Sequence, residues 1–302
     1  MKSMFFNSKF NQQIGDWNTS SVTTMNSMFK QSAFNQEVGS WNVSNVIDLS
    51  EMFRIATRFN QYIGLWNTSK VTDMSFLFHG ALQFNQDISF WKTDNVTDMT
   101  NMFIFASSFN QDLSSWNTSK VTKMYQMFQS ASSFNQSLEN WTLNPLVDMQ
   151  EMLSNSGIDC KNYSSTLIGW NQNPLTPNGI KLGSNGLLYG PSAIEAINNL
   201  RTNKNWVING GNLVDSFYCE KMFANLKQPE KNKISIFPNP SSTILNIQTD
   251  EEIHSIFIYD TSGKLIKTEY QKSFSISELN NGLYLIEVKT EKTSVILKFN
   301  KL

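Results

Sequence analysis

Charge is what this chain has least of: Asp, Glu, Lys and Arg make up only 16% of its 302 residues, against about 25% in an average globular domain. The formal net charge is −1, and a division at residue 226 leaves 14 basic and 16 acidic residues before it and 10 and 9 after. No field of one sign is present to gather nucleic acid or an anionic membrane, so neither is expected as a partner. Histidine occurs twice, at His79 and His254, and neither stands near Cys or carboxylates at metal-ligand spacing. Zinc binding, His-based catalysis and a cofactor are therefore not expected. Gly-x-Ser-x-Gly, Walker A and Rossmann fingerprints are missing as well, and no enzyme is expected. No apolar run reaches the roughly 18 residues that a membrane-spanning helix needs. A basic-then-apolar leader is also missing, while Met4-Phe5 and Phe10-Asn11-Gln12 already match later copies of a repeat. The expectation is a truncated or processed form of a longer chain. Cysteine is confined to Cys160 and Cys219; an oxidising compartment would allow them to bridge, a reducing one would keep them as thiols, and the sequence leaves both open.

What is abundant is repetition. Phe10, Phe34, Phe59, Phe84, Phe109 and Phe134 each open a Phe-Asn-Gln triplet, at spacings of 24, 25, 25, 25 and 25 residues. A tryptophan follows seven residues later every time: Trp17, Trp41, Trp66, Trp91, Trp116 and Trp141. Val22, Val46, Val71, Val96, Val121 and Leu146 form the next column, and Met25, Leu49, Met74, Met99, Met124 and Met149 the one after. Pairs such as Met52-Phe53 and Met102-Phe103 close each unit. A fixed period of this length marks stacked repeats, each too small to bury its apolar side chains alone.

Two textures alternate within the unit. Ile88 to Thr93 alternates apolar and polar residues around Trp91, which predicts a short strand. From Val96 through Met99, Met102-Phe103, Ala106 and Phe109 the apolar residues stand three or four apart, which predicts a helical turn. The expected fold class is thus an α/β leucine-rich-repeat-type solenoid of about 25-residue repeats, six coils over residues 1–155. The tryptophans fall in phase with the other apolar columns and are expected in the core rather than on a ligand platform. The Asn11, Asn35, Asn60, Asn85, Asn110 and Asn135 column is expected to form an internal ladder. Asp73, Asp98 and Asp148, between the Val and Met columns, are expected to cap the following helical turn. The sequons at Asn18, Asn67 and Asn117 recur with the repeat and are read as strand chemistry rather than as glycosylation sites.

The residues flanking each tryptophan are expected to point out of the strand face. Asn18, Asn42, Asn67, Lys92 and Asn117 follow it, with Leu65 and Phe90 among those before it, and these seven are the candidate ligand face for a protein or glycan. Residues 156–213 carry helical spacing at Tyr163, Leu167, Ile168 and Trp170 and strand-like runs later, and are expected to cap the array. Residues 214–232, ending in a polar run, read as a linker. From 233 to 302, six or seven short alternating strands predict a small all-β sandwich domain.

The unit "FNQDISFWKTDNVTDMTNMFIFAS" resembles the BspA-like leucine-rich repeats of bacterial surface proteins, and the tail "NYSSTLIGW…NWVINGG" resembles segments that follow such repeats in Bacteroidota. That resemblance implies a surface protein associated with adhesion. The C-terminal motifs "IFPNPS", "IFIYDTSGKLI", "ISELNNGLYLIEV" and "KFNK" resemble the sorting domain of the type IX secretion system. The residues that carry this resemblance are Pro238, Asn239, Pro240, Gly263, Gly282, Tyr284 and Lys298. It implies that 233–302 engages the type IX machinery, directs export across the outer membrane to the cell surface or medium, and is normally removed in the linker. The expected function is an exported adhesion or protein-interaction protein. A glycan-binding accessory protein and a passive surface-layer component are the alternatives.

Overall fold

A computed structural model describes residues 1–214, 219, 234–237, 241–249, 251–260, 265–290 and 294–301, without the side chains of 283, 294–296, 298 and 300. The chain divides into two compact units, Met1–Cys219 and Glu220–Leu302.

In the first unit the repeats stack, but they are not coils of alternating strand and helix. The expected α/β leucine-rich-repeat solenoid is not formed: the described residues before Cys160 contain no helix and no strand longer than a single bridge. Parallel bridges run Thr24↔Asp48↔Asp73↔Asp98↔Lys123↔Asp148, at the segment expected to begin the helix rather than at the tryptophan. Where a helix was expected, the backbone makes a chain of β-turns. Met102 N–H donates to Met99 C=O at 3.2 Å, and Ala106 N–H to Phe103 C=O at 3.0 Å. The third residue of each turn, Asn101 and Phe105, has φ 57°, as a type II turn requires.

Between these inward bonds, Met99, Asn101 and Phe103 donate to Lys123, Tyr125 and Met127 of the next repeat, each at 2.9 Å. A helix would turn every amide inward and leave none for the neighbouring repeat; alternation serves both needs. The apolar spacing misleads because successive turn corners are three residues apart, so Val96, Met99 and Met102 share a side as they would on a helix. Left-handed φ at non-glycine residues costs on the order of 1 kcal/mol or more each, and it recurs at Ser27, Gln31, Glu51 and Ile55 among others. Gly80 fills the same turn position without that cost, at φ 65°.

The core is a set of aromatic columns. Phe53 lies 3.7 Å from Phe59, six residues on, and 5.8 Å from its equivalent Phe78 one repeat later, centroid to centroid. The pattern continues through Phe84, Phe103, Phe109, Phe128 and Phe134, all fully buried. Trp41, Trp66, Trp91, Trp116 and Trp141 are buried alongside them. Each of these indoles also bonds. Nε1 of Trp66 donates to Val38 C=O at 3.0 Å, and that carbonyl accepts the Trp41 backbone N–H at 3.2 Å. Trp41, Trp91, Trp116 and Trp141 repeat the bond to Ile14, Ile63, Ile88 and Leu113.

The far end of the stack is closed by α1 (Cys160–Gln172), β1 (Lys181–Tyr189), a 3-10 turn at Pro191–Ala193, α2 (Ile194–Thr202) and β2 (Val207–Leu213). Helix α1 takes the place of another repeat. Its Trp170 donates Nε1 to Leu138 C=O at 3.0 Å, and its N-cap Asp159 takes the next position of the Asn column, N–H to Asn135 Oδ1 at 2.8 Å. Strand β1 bridges from Met149 to Leu182 and pairs in parallel with β2. Gly183 has to be glycine here, since a Cβ would come within 2.1 Å of the Glu151 backbone nitrogen.

A disulfide joins Cys160 to Cys219, with Cα atoms 5.4 Å apart; it ties the start of α1 to the end of the unit. The expected linker 214–232 lies outside the described residues apart from Val214 and Cys219.

The second unit has β3 (Ser235–Phe237), β4 (Ile244–Gln248), β5 (Ile253–Tyr259), β6 (Leu265–Glu269), β7 (Ser273–Ser275), β8 (Gly282–Thr290) and β9 (Ser294–Lys301). They form two antiparallel sheets, ordered β3-β4-β7 and β6-β5-β8-β9. Leu245, Ile247 and Phe274 of the smaller sheet share one apolar cluster with Ile256, Ile258, Ile286 and Val288 of the larger.

Trp91→Ala removes a filled core position and leaves the Ile63 carbonyl with one bond fewer, so chemical denaturation should show a loss of about 3–5 kcal/mol. Trp91→Phe should lose distinctly less, and a loss below about 1 kcal/mol for the alanine variant would contradict this packing. The disulfide closes a separation of 59 residues, so by loop entropy Cys219→Ser should destabilise the first unit by roughly 4 kcal/mol under oxidising conditions. Equal denaturation midpoints with and without the bond would contradict that.

Candidate functional site

The turn around each tryptophan is where side chains leave the stack. Its backbone is held without a strand. In the fourth repeat Trp91 N–H donates to Ile88 C=O at 3.1 Å, Ser89 N–H to Asp87 Oδ1 at 2.9 Å, and Val96 N–H to Thr93 C=O at 3.0 Å. The Thr two residues after Trp is buried and ties neighbours together: Thr68, Thr93 and Thr118 donate Oγ1 to the carbonyls of Lys92, Asn117 and Thr142 at 2.8–3.0 Å.

The sequons are turn chemistry, a correction to the strand reading. Asn18, Asn67 and Asn117 each accept, through Oδ1, the N–H two residues on, at 3.1–3.2 Å. The Asp column caps turns in the same way, not helices: Ser75 and Thr100 donate N–H to Asp73 and Asp98 at 2.8 and 2.9 Å. The Asn ladder forms along the outside of the stack instead of inside it. Asn60, Asn85 and Asn110 donate N–H to Oδ1 of Asn35, Asn60 and Asn85 at 2.9–3.0 Å, and all are half-buried or exposed. Gln61, Gln86 and Gln111 donate to the same oxygens and extend it.

Burial alternates through the Trp turn even though no strand forms there. Asn18, Asn42, Asn67, Lys92 and Asn117 are exposed, and so are Leu65 (77%) and Phe90 (66%). A depression of about 460 Å³ gathers three of them, Phe90, Lys92 and Asn117, from the fourth and fifth repeats. Asn18 and Asn42 belong to the first two repeats and do not line it.

Ser115, which stands just before Trp116 in the flanking column, also lines the depression, and two further lining residues, Asp94 and Asp112, were not legible as site residues. Asp94 Oδ1 accepts from Asn117 Nδ2 at 2.9 Å, Asp112 Oδ1 from Ser114 N–H at 2.8 Å, and Ser115 Oγ donates to Ser89 C=O at 2.7 Å. Tyr62, 44% exposed, also went unnoticed; its ring lies over Gly64, where a Cβ would come within 2.8 Å of it. Its signal was the break in a column otherwise made of Gln13, Glu37, Asp87, Asp112 and Ser137.

A second cluster sits on the ridge of type II turns. Glu51 pairs with Lys30 and with Arg54, the latter at 2.7 Å, and the Arg54 guanidinium lies 5.0 Å from the Phe76 ring centre. Burial pushes the Glu51 carboxyl up, but the hydrogen bonds and charges of Lys30 and Arg54 outweigh it and hold it below its ordinary value. His79, with its ring 5.9 Å from Phe76, is pulled down to about 4 by burial and by the nearby Arg54 charge. No group of three or more His, Cys, Asp or Glu able to hold a metal occurs among the described residues.

In the second unit, Tyr284 donates its hydroxyl to Asn280 C=O at 3.0 Å and its ring lies 5.5 Å from Phe299. Gly282 opens β8 at φ 152°. Pro238, Asn239, Pro240 and Gly263 lie outside the described residues, as does the Lys298 side chain. No described helix is long and apolar enough to cross a membrane.

Residues 1–71 and 60–166 match a family described as "Mycoplasma protein of unknown function, DUF285". That match does not identify the repeats as BspA-like leucine-rich repeats. Residues 235–301 match the secretion system C-terminal sorting domain, the assignment that the motifs of this stretch had implied. No curated protein matches the chain.

His79 is neutral in the folded state at pH values where an unfolded histidine already takes a proton. A base with a depressed folded pKa contributes stability that is present above its unfolded value and lost as pH falls from about 6.5 toward about 4. Denaturation midpoints of the chain and of His79→Gln should therefore converge, or cross in favour of the variant, between about pH 7 and about pH 4.5. A constant difference between them across that range would contradict the burial argument.

Proposed function

The chain belongs to the DUF285 family, with 1–166 covered by its matches, and from that premise we propose that its repeats form an adhesive or protein-interaction surface on an exported protein. The sorting domain at 235–301 implies export through type IX secretion to the cell surface or extracellular space. No helix among the described residues is long and apolar enough to cross a membrane.

The observation that carries the interaction reading is the Trp-turn face. Side chains leave it at a regular repeat, while the backbone beneath is already bonded within and between repeats. Such a face holds its shape whatever side chains it presents, so variation such as Leu65 and Phe90 changes what is recognised without changing the fold. The mixture of amides, hydroxyls and apolar groups is that of a binding surface. No catalytic role is assigned to it, and a binding protein without cofactor is the reading proposed.

Deletion of residues 233–302 should leave the first unit folded, with its near-ultraviolet signal and denaturation midpoint preserved. The truncated chain should be retained inside the outer membrane, protected from protease added to whole cells, and cell adhesion should fall to that of cells lacking the chain. Surface display of the truncated chain would contradict the sorting role. Adhesion of the full-length producers no better than that of cells lacking the chain would contradict the interaction role.

A further inference from the structure

We infer that the depression beside Phe90 is a binding site for uncharged glycans, an inference that rests on the interaction reading of this face. Its floor offers little to a peptide. A peptide that binds by adding a strand needs an open sheet edge, and this turn has no strand; the parallel bridges run at Asp98 and its equivalents. The Ser89, Lys92 and Asn117 carbonyls already accept bonds from Ser115, Thr68 and Thr93.

What remains available is a ring surrounded by side-chain tips. Phe90 is 66% exposed, with no ring partner among the described contacts to hold it against the protein. An aromatic face carries partial negative charge and accepts the slightly positive C–H face of a sugar ring, as it does other polarised hydrogens. Around it, Asp94 and Asp112 each use one carboxylate oxygen inside the protein, through Asn117 and Ser114. The second oxygen of each has no hydrogen-bond partner among the described residues and can accept from a sugar hydroxyl. Lys92 also lines the depression, with no ion pair among the described residues, and its ammonium donates. Acceptors and a donor about an apolar ring match the alternation of hydroxyl edges and C–H faces on a pyranose.

Charge decides the class of glycan. Two carboxylates stand against one ammonium among the lining residues, so a sulfated or uronate-rich polymer would meet net repulsion while a neutral one would not. Leu65, the equivalent of Phe90 one repeat earlier, and Tyr62 of the same repeat are exposed as well.

Calorimetry of the full chain against neutral hexose and N-acetylhexosamine oligosaccharides, with heparin as the polyanion, tests this. At least one neutral oligosaccharide should bind saturably, and heparin should not. Phe90→Ala should weaken binding by about tenfold or more, the equivalent of about 1.4 kcal/mol, and Phe90→Trp should retain it. The exposed side chain makes both variants neutral for folding, which an unchanged denaturation midpoint would verify. A silent neutral panel, or binding that survives Phe90→Ala unchanged, would overturn the inference. Adhesion that depends on the exported chain while the neutral panel stays silent would overturn it and leave the interaction reading standing.

Discussion

One carbonyl group per repeat organises the first unit. The residue three before each tryptophan offers its C=O to two donors, the tryptophan's own amide and the indole of the next repeat. Those two bonds use both lone pairs of a buried acceptor, where each unmade bond would cost about 1–3 kcal/mol. They also fix the distance and rotation between repeats, because an indole inserted at any other register would bury an unpaired N–H. The phenylalanine columns then fill the space that this register defines. The packing is strong but not directional; the indole bond sets the register.

The same constraint explains why each repeat is a run of turns. Amides in this segment alternate between bonding forward to the next repeat and back to the residue three before. That alternation forces left-handed residues at two positions per repeat, including Ile55 and Phe105, which are poor candidates for it. Neighbours on both sides hold these residues in place, so the strain is distributed over the stack and is not concentrated at a site. Helix α1 ends the array by reproducing the ladder positions with other means, Asp159 for Asn and Trp170 for the next tryptophan.

Much of this was written in the columns. Phe84, Trp91, Val96, Met99 and Phe103 repeat at one period, and all are buried. The exposed positions between them, Phe90 and Lys92, followed from the alternation through Trp91. The type of local structure was not legible, because three-residue turn steps and helical spacing place Met99 and Met102 on the same side. The Asn column announced a ladder, but nothing in it said that the ladder would lie outside. Asp94 and Asp112 escaped notice because a site assembled from two repeats has no signature in either one. Pairing of Cys160 with Cys219 depended on a Cα separation that sequence does not carry.

The indole–carbonyl ladder can be observed directly. Seven of the eight tryptophans donate Nε1 to a backbone carbonyl, Trp206 through Pro177 and Trp170 through Leu138. Trp17, in the first repeat and 36% exposed, has no such bond among the described residues. Hydrogen exchange of the indole N–H groups, followed by NMR on the intact chain, should show one fast resonance belonging to Trp17 and seven protected ones. Uniformly fast exchange of the Trp41, Trp66, Trp91, Trp116 and Trp141 indoles would contradict the stack of repeats at its central bond.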